Sequence, residues 1–273
     1  TGISAIYIAL WDLISKDAGL PLYKMLGAFH EDIVPAYASG GYYQPGKTPE
    51  DLGNEMRSYL DLGLRAVKIK VGRVSTSEDV IRIGFAREAV GNSIPLFLDA
   101  NNAWSDASSA IQACREFEVH SPDWIEEPLM PDDILGHAKI SRSVNIPVAT
   151  GEIHQTRWDF EQILNNDAAD ILQSDAGVCG GITEWRKIAS MAAGRDVTVA
   201  PHWLADIHVH LVASTPNASW VEYFTDHSVL NIGRLFSTSL EIKDAGLKIP
   251  QNPGIGVEFD DKAVQKFSLD GWV

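Results

Sequence analysis

The sequence predicts an α/β barrel, in which helices surround a ring of parallel strands. Short apolar runs rich in β-branched residues alternate with helical patterns along most of the chain. The chain has 273 residues, close to the roughly 250 that such barrels need. Polar residues follow the predicted strands at intervals of 20–29 residues, about one strand–helix unit each. The alternative is an open doubly wound sheet, but no Gly-x-Gly-x-x-Gly motif follows the first strand.

Eight strands and six helices are predicted in alternation. The strands lie near residues 34–38, 66–71, 95–98, 123–125, 146–149, 171–173, 197–200 and 219–221. The helices cover residues 49–62, 77–90, 106–119, 155–165, 182–193 and 206–215, and Thr48 is suited to cap the first of them. A further helical pattern opens the chain. Residues 231–273, which are rich in Gly and Pro, break the rhythm and form an appendage with short strand-like pieces.

The composition narrows the classes of partner. The chain carries 37 acidic and 22 basic residues, a formal charge of −15, which argues against nucleic acids and anionic membranes. Any acidic substrate must therefore be held by local cations. Cys114 and Cys179 lie far apart and outside any Cys-x-x-Cys motif, which disfavours disulfides and zinc and favours a cytoplasmic location. No apolar run reaches the roughly 18 residues of a membrane span, and no signal peptide is visible.

Polar side chains follow the last seven predicted strands. They are Lys68 and Lys70, Asp99, Glu126, Glu152, Asp175, His202 and Glu222. The C-terminal ends of barrel strands meet at one mouth, where the active sites of such barrels lie. We therefore predict that these residues, which are remote in sequence, form one site. For any single residue, the alternative is a polar cap where a strand meets water.

Three of these residues are predicted to bind a metal ion. The carboxylates of Asp99, Glu126 and Glu152 come from adjacent strands and repel one another unless a cation lies between them. Oxygen ligands without Cys or His favour Mg²⁺ over Ca²⁺ or Mn²⁺. Asn101 is expected to point into the same mouth, although an Asn at this position also caps loops. Glu127 should face elsewhere because side chains alternate along a strand.

The remaining residues are candidates for proton transfer. Lys68 and Lys70 lie two residues apart on one face of a strand, so each should lower the pKa of the other and bring a lysine nearer to use as a base. Asp175 should orient the imidazole of His202. Glu222, if protonated, could donate a hydrogen bond to a substrate carboxylate. The structural alternatives are lysines that extend to water and a histidine that only packs.

These groups together suit the removal of a proton next to a carboxylate. A metal ion would hold the substrate carboxylate and stabilise the resulting enediolate. A lysine on one side and a histidine on the other would act on opposite faces of the same carbon. His154 and Trp203 follow strand ends and are weaker candidates for substrate contact, with a loop or packing role as the alternative for each.

The chain resembles the mandelate racemase subgroup of the enolase superfamily. The resemblance covers nearly the whole chain in the order of the family. The matching motifs are residues 4–12 (SAIYIALWD), 19–23 (GLPLY), 68–70 (KIK), 99–101 (DAN), 124–128 (WIEEP), 151–152 (GE), 174–175 (SD), 180–183 (GGIT), 201–202 (PH) and 253–256 (PGIG). The resemblance implies a modified (β/α)7β TIM barrel that requires Mg²⁺.

The resemblance also implies roles for residues and domains. It assigns metal binding to Asp99, Glu126 and Glu152, the base to Lys70 with Lys68 as its partner, the opposing dyad to Asp175 and His202, and donation to the substrate carboxylate to Glu222. Relatives carry an N-terminal α+β capping domain, most of which is absent from this chain. We therefore divide the chain into a lead-in helix from that domain (1–30), a catalytic barrel (31–230) and a C-terminal segment that packs toward the capping domain (231–273).

Among the possible functions, the resemblance favours a sugar-acid dehydratase, a lyase that converts an aldonate or aldarate to a 2-keto-3-deoxy acid. Lys70 or His202 would remove the α-proton, and an acid such as protonated His202 would assist loss of the β-hydroxyl. The alternatives are a racemase or epimerase of a 2-hydroxy acid and a non-catalytic binding protein on a barrel scaffold. We expect a small carboxylate, a sugar acid, as the partner and a homo-oligomer in the full-length form.

Overall fold

The computed structural model describes residues 1–225 and 231–269, and within them eight parallel strands form a barrel. The strands are β1 (Ile33–Ser39), β2 (Val67–Lys70), β3 (Leu96–Asp99), β4 (Trp124–Glu126), β5 (Val148–Thr150), β6 (Ile171–Leu172), β7 (Thr198–Val199) and β8 (Val221–Tyr223). Neighbours in sequence pair in parallel from β1 to β7, and β8 pairs with β1. A parallel bridge between Val199 and Ala218 closes the ring, so the barrel is confirmed over the open sheet.

Helices cover the outside of the barrel. They are α1 (Gly2–Asp17), α2 (Leu22–Leu26), α3 (Pro49–Asp61), α4 (Thr76–Val90), α5 (Ala107–Phe117), α6 (Ile134–Ser141), α7 (Thr156–Asn165), α8 (Ile182–Ala193), α9 (Ala205–Ala213) and α10 (Asp261–Phe267), with 3-10 turns at Glu118–His120 and Asn231–Leu235. The predicted N-cap is confirmed, since Thr48 and Asp51 form a reciprocal capping box at the start of α3. No helix among the described residues is long and apolar enough to cross a membrane.

The segment after the barrel is attached to the first strand. Strands β9 (Ile242–Lys243) and β10 (Gly246–Lys248) form an antiparallel hairpin, and β10 pairs antiparallel with the start of β1. Leu247 and Ile249 are fully buried. The predicted boundary at residue 230 and the end of the segment (270–273) lie outside the described residues, and the packing of this segment toward a capping domain stays a prediction.

The barrel interior explains where the site must lie. One layer of interior side chains consists of Tyr37, Ala66, Phe97, Trp124, Ala149 and Ala200, packed with Ile171 and Trp220. Because side chains alternate along a strand, the residues two positions later also face the barrel axis. Those residues are Ser39, Lys68, Asp99, Glu126, Gly151, Gln173, His202 and Glu222. The apolar layer therefore forms the floor beneath a polar layer at the C-terminal mouth.

Candidate active site

Lys68 lies at the centre of the polar layer. Its side chain is buried, and Nζ donates to both carboxylate oxygens of Glu126 at 2.8 Å. The same Nζ lies 2.7 Å from Glu222 Oε1 and 3.7 Å from Asp99 Oδ2. Side chains from β2, β3, β4 and β8 thus meet at one point, as the barrel topology predicts.

Both lysines are held in the charged form. Burial alone would lower the pKa of Lys68, but the charges of Glu126 and Glu222 raise it well above its ordinary value. Burial and Lys68 likewise act to lower the pKa of Lys70, yet Asp99, which accepts a hydrogen bond from Nζ of Lys70, raises it overall. Lys68 thus lowers the pKa of Lys70 as expected, but the nearby carboxylates outweigh this effect, so neither lysine is brought nearer to neutrality.

Glu222 accepts hydrogen bonds from the chain itself, and its expected donation to a substrate carboxylate stays a prediction. Burial alone would raise the pKa of Glu222, but the charges of Lys68 and His202 hold it far below its ordinary value. Its Oε2 accepts the backbone N–H of Trp203 at 2.8 Å. The carboxylate therefore orders the turn after β7, which carries His202.

His202 and Asp175 form the predicted pair. Nδ1 of His202 lies 3.1 Å from Asp175 Oδ2, while Nε2 lies 3.5 Å from Glu152 Oε2 and 4.0 Å from Glu222 Oε2. Burial alone would lower the pKa of His202. The bond to Asp175 and the charges of Glu152 and Glu222 outweigh that effect and raise the pKa to about 10. Asp175 thus holds one ring nitrogen and leaves the other directed at the mouth.

The three predicted metal ligands share this mouth without forming a finished metal site. Asp99 and Glu126 are paired in register on β3 and β4, and Glu152 contacts His202. In the described part of the chain, no three His, Cys, Asp or Glu side chains stand in a metal-binding arrangement. Lys68 and Lys70 are bonded to Glu126 and Asp99 instead. The convergence of the three carboxylates on one cation stays a prediction.

Glu127 supports a cation in this region. Its side chain is buried, Oε1 has no partner among the described residues, and Oε2 accepts from Asn102 Nδ2 at 3.2 Å. Burial and the charges of Glu152 and Glu126 raise the pKa of Glu127 to about 9. The φ of 41° at Glu127 breaks the extended alternation on which its expected direction rested, so the expectation that it faces elsewhere stays a prediction. A buried, oxygen-only donor set with an unpaired carboxyl oxygen fits Mg²⁺.

Two of the weaker candidates hold loops together. His154 is buried, and its Nε2 lies 2.9 Å from the carbonyl oxygen of Pro131 in the loop after β4. Trp203 has a left-handed backbone with φ of 52°, and its N–H is held by Glu222. These bonds explain both residues structurally, and their contact with a substrate stays a prediction.

Asn101 lies at the rim, as expected from its place two residues after Asp99. Its side chain is exposed, and its backbone N–H donates to Asp99 Oδ1 at 2.9 Å. It lines a cavity of about 300 Å³ together with Tyr42 and Lys70. Asn101 is therefore placed to contact a ligand beside Lys70, although its predicted role in substrate binding is not tested.

Sequence reasoning missed three side chains in or beside the polar layer. Ser39 is paired in register with Lys68, and its buried hydroxyl has no partner among the described residues. The buried amide of Gln173 is likewise unpaired there. The ring of Tyr42 lies 5.3 Å from Lys70 Nζ. Counting two residues on from interior Tyr37 and Ile171 would have found the first two.

Comparisons with known proteins agree with this geometry. The enolase C-terminal domain-like family matches residues 51–263. The L-talarate/galactarate dehydratase of Salmonella typhimurium is 38% identical over 261 residues, which cover 96% of this chain and 64% of that enzyme. A Streptomyces coelicolor racemase solved with bound magnesium has a TM-score of 0.90 at 33% identity, over 98% of this chain and 72% of that chain. The L-talarate dehydratase of a Polaromonas species, solved with magnesium and L-glucarate, has a TM-score of 0.86 at 35% identity, over 94% of this chain and 70% of that chain.

The matches extend over most of this chain, which nevertheless spans less than two thirds of the Salmonella enzyme. The family match includes β2 to β8 and the residues of the polar layer from Lys68 to Glu222. Dehydratases of sugar acids and racemases both occur among these similar proteins. The chain belongs to the enolase C-terminal domain-like family, in the mandelate racemase subgroup of the enolase superfamily.

Proposed function

We propose that the full-length protein is a magnesium-dependent lyase that dehydrates a sugar acid, an aldonate or aldarate, to a 2-keto-3-deoxy acid. One observation carries the proposal. Lys70 from β2 and His202 from the turn after β7 reach the same mouth, and each is bonded to its own carboxylate, Asp99 or Asp175. The sugar-acid dehydratases among the similar proteins support this choice of reaction.

The proposed metal ligands are Asp99, Glu126 and Glu152. When bound, Mg²⁺ would hold the substrate carboxylate and offset the negative charge that develops on it. The chain itself supplies the proton transfers. Lys70 or His202 acts as the base in its neutral form, so it must first give up to solvent the proton that its carboxylate partner stabilises. It then takes the proton as the C2–H bond breaks, and the electron pair forms a C2–C3 double bond as the C3–O bond breaks. The hydroxyl leaves as water with a proton from an acid, and the enol becomes the 2-keto acid.

His202 is the better placed of the two groups to protonate the leaving hydroxyl. Asp175 accepts the hydrogen bond of Nδ1, which turns Nε2 toward Glu152 and Glu222 at the mouth. A proton on Nε2 can therefore reach a bound substrate, while Nδ1 keeps its partner throughout. A fixed tautomer and orientation are what a general acid needs.

Racemisation or epimerisation of a 2-hydroxy acid is the second candidate. Lys70 and His202 approach the mouth from β2 and β7, which are not neighbours in the barrel. Such an arrangement lets one group remove a proton from one face of a carbon while the other returns a proton to the opposite face. The similarity to a racemase favours keeping this candidate.

The test is a screen of the full-length protein against mono- and diacid sugars with Mg²⁺ in D₂O. A 2-keto-3-deoxy product is expected, whereas loss of optical rotation without that product would show racemisation. Activity should vanish with a chelator and return with Mg²⁺. Restoration by Zn²⁺ that exceeds restoration by Mg²⁺ would contradict the oxygen-ligand assignment.

Variants of the two groups separate their roles. Lys70→Ala and His202→Asn should each lower kcat by about 10²–10⁴-fold, the usual contribution of a general acid or base. One of them should still exchange the α-proton with solvent deuterium, which would identify the group that faces that proton. Lys139→Ala, a change of an exposed lysine on α6, is the control and should leave kcat unchanged. Full turnover in both site variants would exclude the mechanism.

A further inference from the structure

A second network of buried charges lies outside the site, on α4. Asp79 is fully buried and Arg82 is nearly so. Nε of Arg82 lies 3.3 Å from Asp79 Oδ1, and the guanidinium lies 3.8 Å from the centre of the Tyr43 ring. The hydroxyl of Tyr43 donates to Asp79 Oδ1 at 2.5 Å. None of these three residues belongs to the polar layer of the barrel.

Arg82 replaces a hydrogen bond that the barrel loses. The last bond between β1 and β2 runs from the N–H of Gly40 to the carbonyl of Lys68, at 3.1 Å. The chain then turns at Gly41, where φ is 64° and a Cβ would lie 2.6 Å from Cβ of Ile69. The Lys70 carbonyl therefore loses its donor from β1. Nη2 of Arg82 donates to that carbonyl and to the carbonyl of Gly41, both at 3.1 Å.

Asp79 holds the other side of the same two loops. Its Oδ2 accepts the N–H of Gly72 at 2.7 Å, just after β2. Its Oδ1 accepts from Tyr43, just after β1. The backbone is thus restrained at Lys70 itself and two residues beyond it. A carboxylate and a guanidinium on one helix fix both loops with charge-assisted hydrogen bonds, the stronger kind.

The restrained loops present two side chains to the mouth. Lys70 bonds to Asp99, and its Nζ lies 5.3 Å from the centre of the Tyr42 ring. We infer that Asp79, Arg82 and Tyr43 are positioning residues that hold Lys70 and Tyr42 in register with a bound substrate. The inference rests on the proposed role of Lys70 in proton transfer. Displacements of about 1 Å at a reacting group are enough to cost large factors in rate.

The same helix supplies a matched control. Arg87 is also a nearly buried arginine of α4 that donates to backbone carbonyls. It bonds the carbonyls of Gly91, Ile94, His120 and Ser121, which lie at the N-terminal ends of β3 and β4 and away from the mouth. A change at Arg87 therefore reports the stability cost of losing a buried arginine without moving Lys70.

The experiment compares Arg82→Lys, Tyr43→Phe and Arg87→Lys in the full-length protein. Lysine cannot reproduce the fork of Arg82, and phenylalanine keeps the ring stacking but loses the bond to Asp79. We expect kcat to fall about 10–100-fold in the first two variants with KM changed less than about threefold. Deuterium exchange at residues 40–43 and 70–73 should quicken in both. Arg87→Lys should lower Tm but leave kcat and exchange in these segments unchanged.

Two results would overturn the inference. One is wild-type kcat in Tyr43→Phe and in Arg82→Lys. The other is a loss of kcat in Arg87→Lys as large as in Arg82→Lys. If the wild type neither turns over any acid nor exchanges its α-proton, the proposed function fails. The positioning role is then decided by backbone amide exchange at residues 40–43 and 70–73 alone. Unchanged exchange at both segments in Tyr43→Phe and Arg82→Lys then refutes it, and faster exchange confined to those variants supports it.

Discussion

Lys68 illustrates how one residue can set the charge state of a whole site. Its buried ammonium forms ion pairs with two buried carboxylates, Glu126 and Glu222, at 2.7–2.8 Å and lies 5.3 Å from the ring centre of Tyr37. Moving such ions out of water is costly, and the cost is offset only while every partner is present. Lys68 is therefore a structural requirement of the mouth as well as a member of it.

Removal of this cation should be strongly destabilising. In Lys68→Met, Glu126 loses the ammonium bonded to it and Glu222 keeps only the more distant cation of His202, at 4.0 Å, so the free energy of unfolding should fall by about 3–5 kcal/mol. Urea denaturation at pH 7 measures the change. Adding Glu222→Gln to Lys68→Met removes one of the stranded charges and should restore part of the loss. An unfolding free energy of Lys68→Met within about 1 kcal/mol of that of the wild type would contradict this account.

Residue types at the mouth were predictable, but their protonation was not. A barrel brings all strand ends together, so Lys70, Asp175 and His202 could be grouped from spacing alone. Protonation depends on how many opposite charges each group meets and at what distance. Asp99 lies beside Lys70 and reverses the shift that the neighbouring lysine would cause. That balance depends on interatomic distances, which sequence spacing does not give.

At the scale of elements, α9 links three separate parts of the chain through two buried histidines. Nε2 of His208 accepts the N–H of Ala176 at 3.1 Å, and its Nδ1 lies 2.7 Å from the carbonyl oxygen of Trp203. This histidine connects the loops that carry Asp175 and His202. Sequence patterns assign no role to His208 or His210, because their partners are backbone groups remote in sequence.

His210 ties α2 and the C-terminal segment to the barrel. Its Nδ1 accepts the N–H of Tyr23 at 3.3 Å, so Nε2 carries the proton and donates to the carbonyl of Ile255 at 2.8 Å. Burial lowers the pKa of His210 to about 4. A second proton on the ring would abolish the acceptor at Nδ1, so the folded state needs the neutral ring.

The lowered pKa of His210 predicts that the folded chain loses stability in mild acid. The unfolded chain protonates His210 near its ordinary pKa of about 6.5, whereas the folded chain does so near 4. The unfolded state therefore binds more protons between these values, and stability falls as pH falls through this window, by about 3 kcal/mol in total. In His210→Gln, the slope of unfolding free energy against pH between 6.5 and 4 should be shallower by about one proton. Equal slopes in the two proteins would rule out this contribution.

Element boundaries followed the sequence closely where local signals were strong. After the capping boxes at Thr48 and Ser75, α3 begins at the predicted residue and α4 begins one residue before the predicted start. Helix α6 was missed because it is only eight residues long, contains Gly136 and exposes Leu135, so its apolar period is weak. Its only clear signal is the N-cap Asp133. Strands β6 and β7 have two residues each and were found from the rhythm of their neighbours.

At the scale of the whole molecule, α1 exposes an apolar face to solvent. Its inner face packs through Ile8 and Trp11 and through small and polar contacts. Ser4 and Ser15 are buried, Ser4 Oγ accepts the N–H of Gly180, and Trp11 donates to Thr183. Its opposite face exposes apolar side chains at helical spacing, namely Ile3, Ile6, Leu10, Leu13 and Ile14. Surface helices normally bury their apolar face and expose their polar face. We propose that this face is covered by the capping domain in the full-length protein.

The 273-residue chain alone should then associate with itself through α1. Ile6 and Leu13 are 61% and 62% exposed, so Ile6→Glu with Leu13→Glu should not lower Tm. Each apolar side chain buried at an interface contributes about 1.5–3 kcal/mol, so self-association should weaken at least about tenfold, as measured by sedimentation velocity. Leu135→Glu, a change on α6 at a residue that is 70% exposed, is the matched control and should have no effect. A monomeric chain, or equal weakening by the control, would show that α1 is not the associating face.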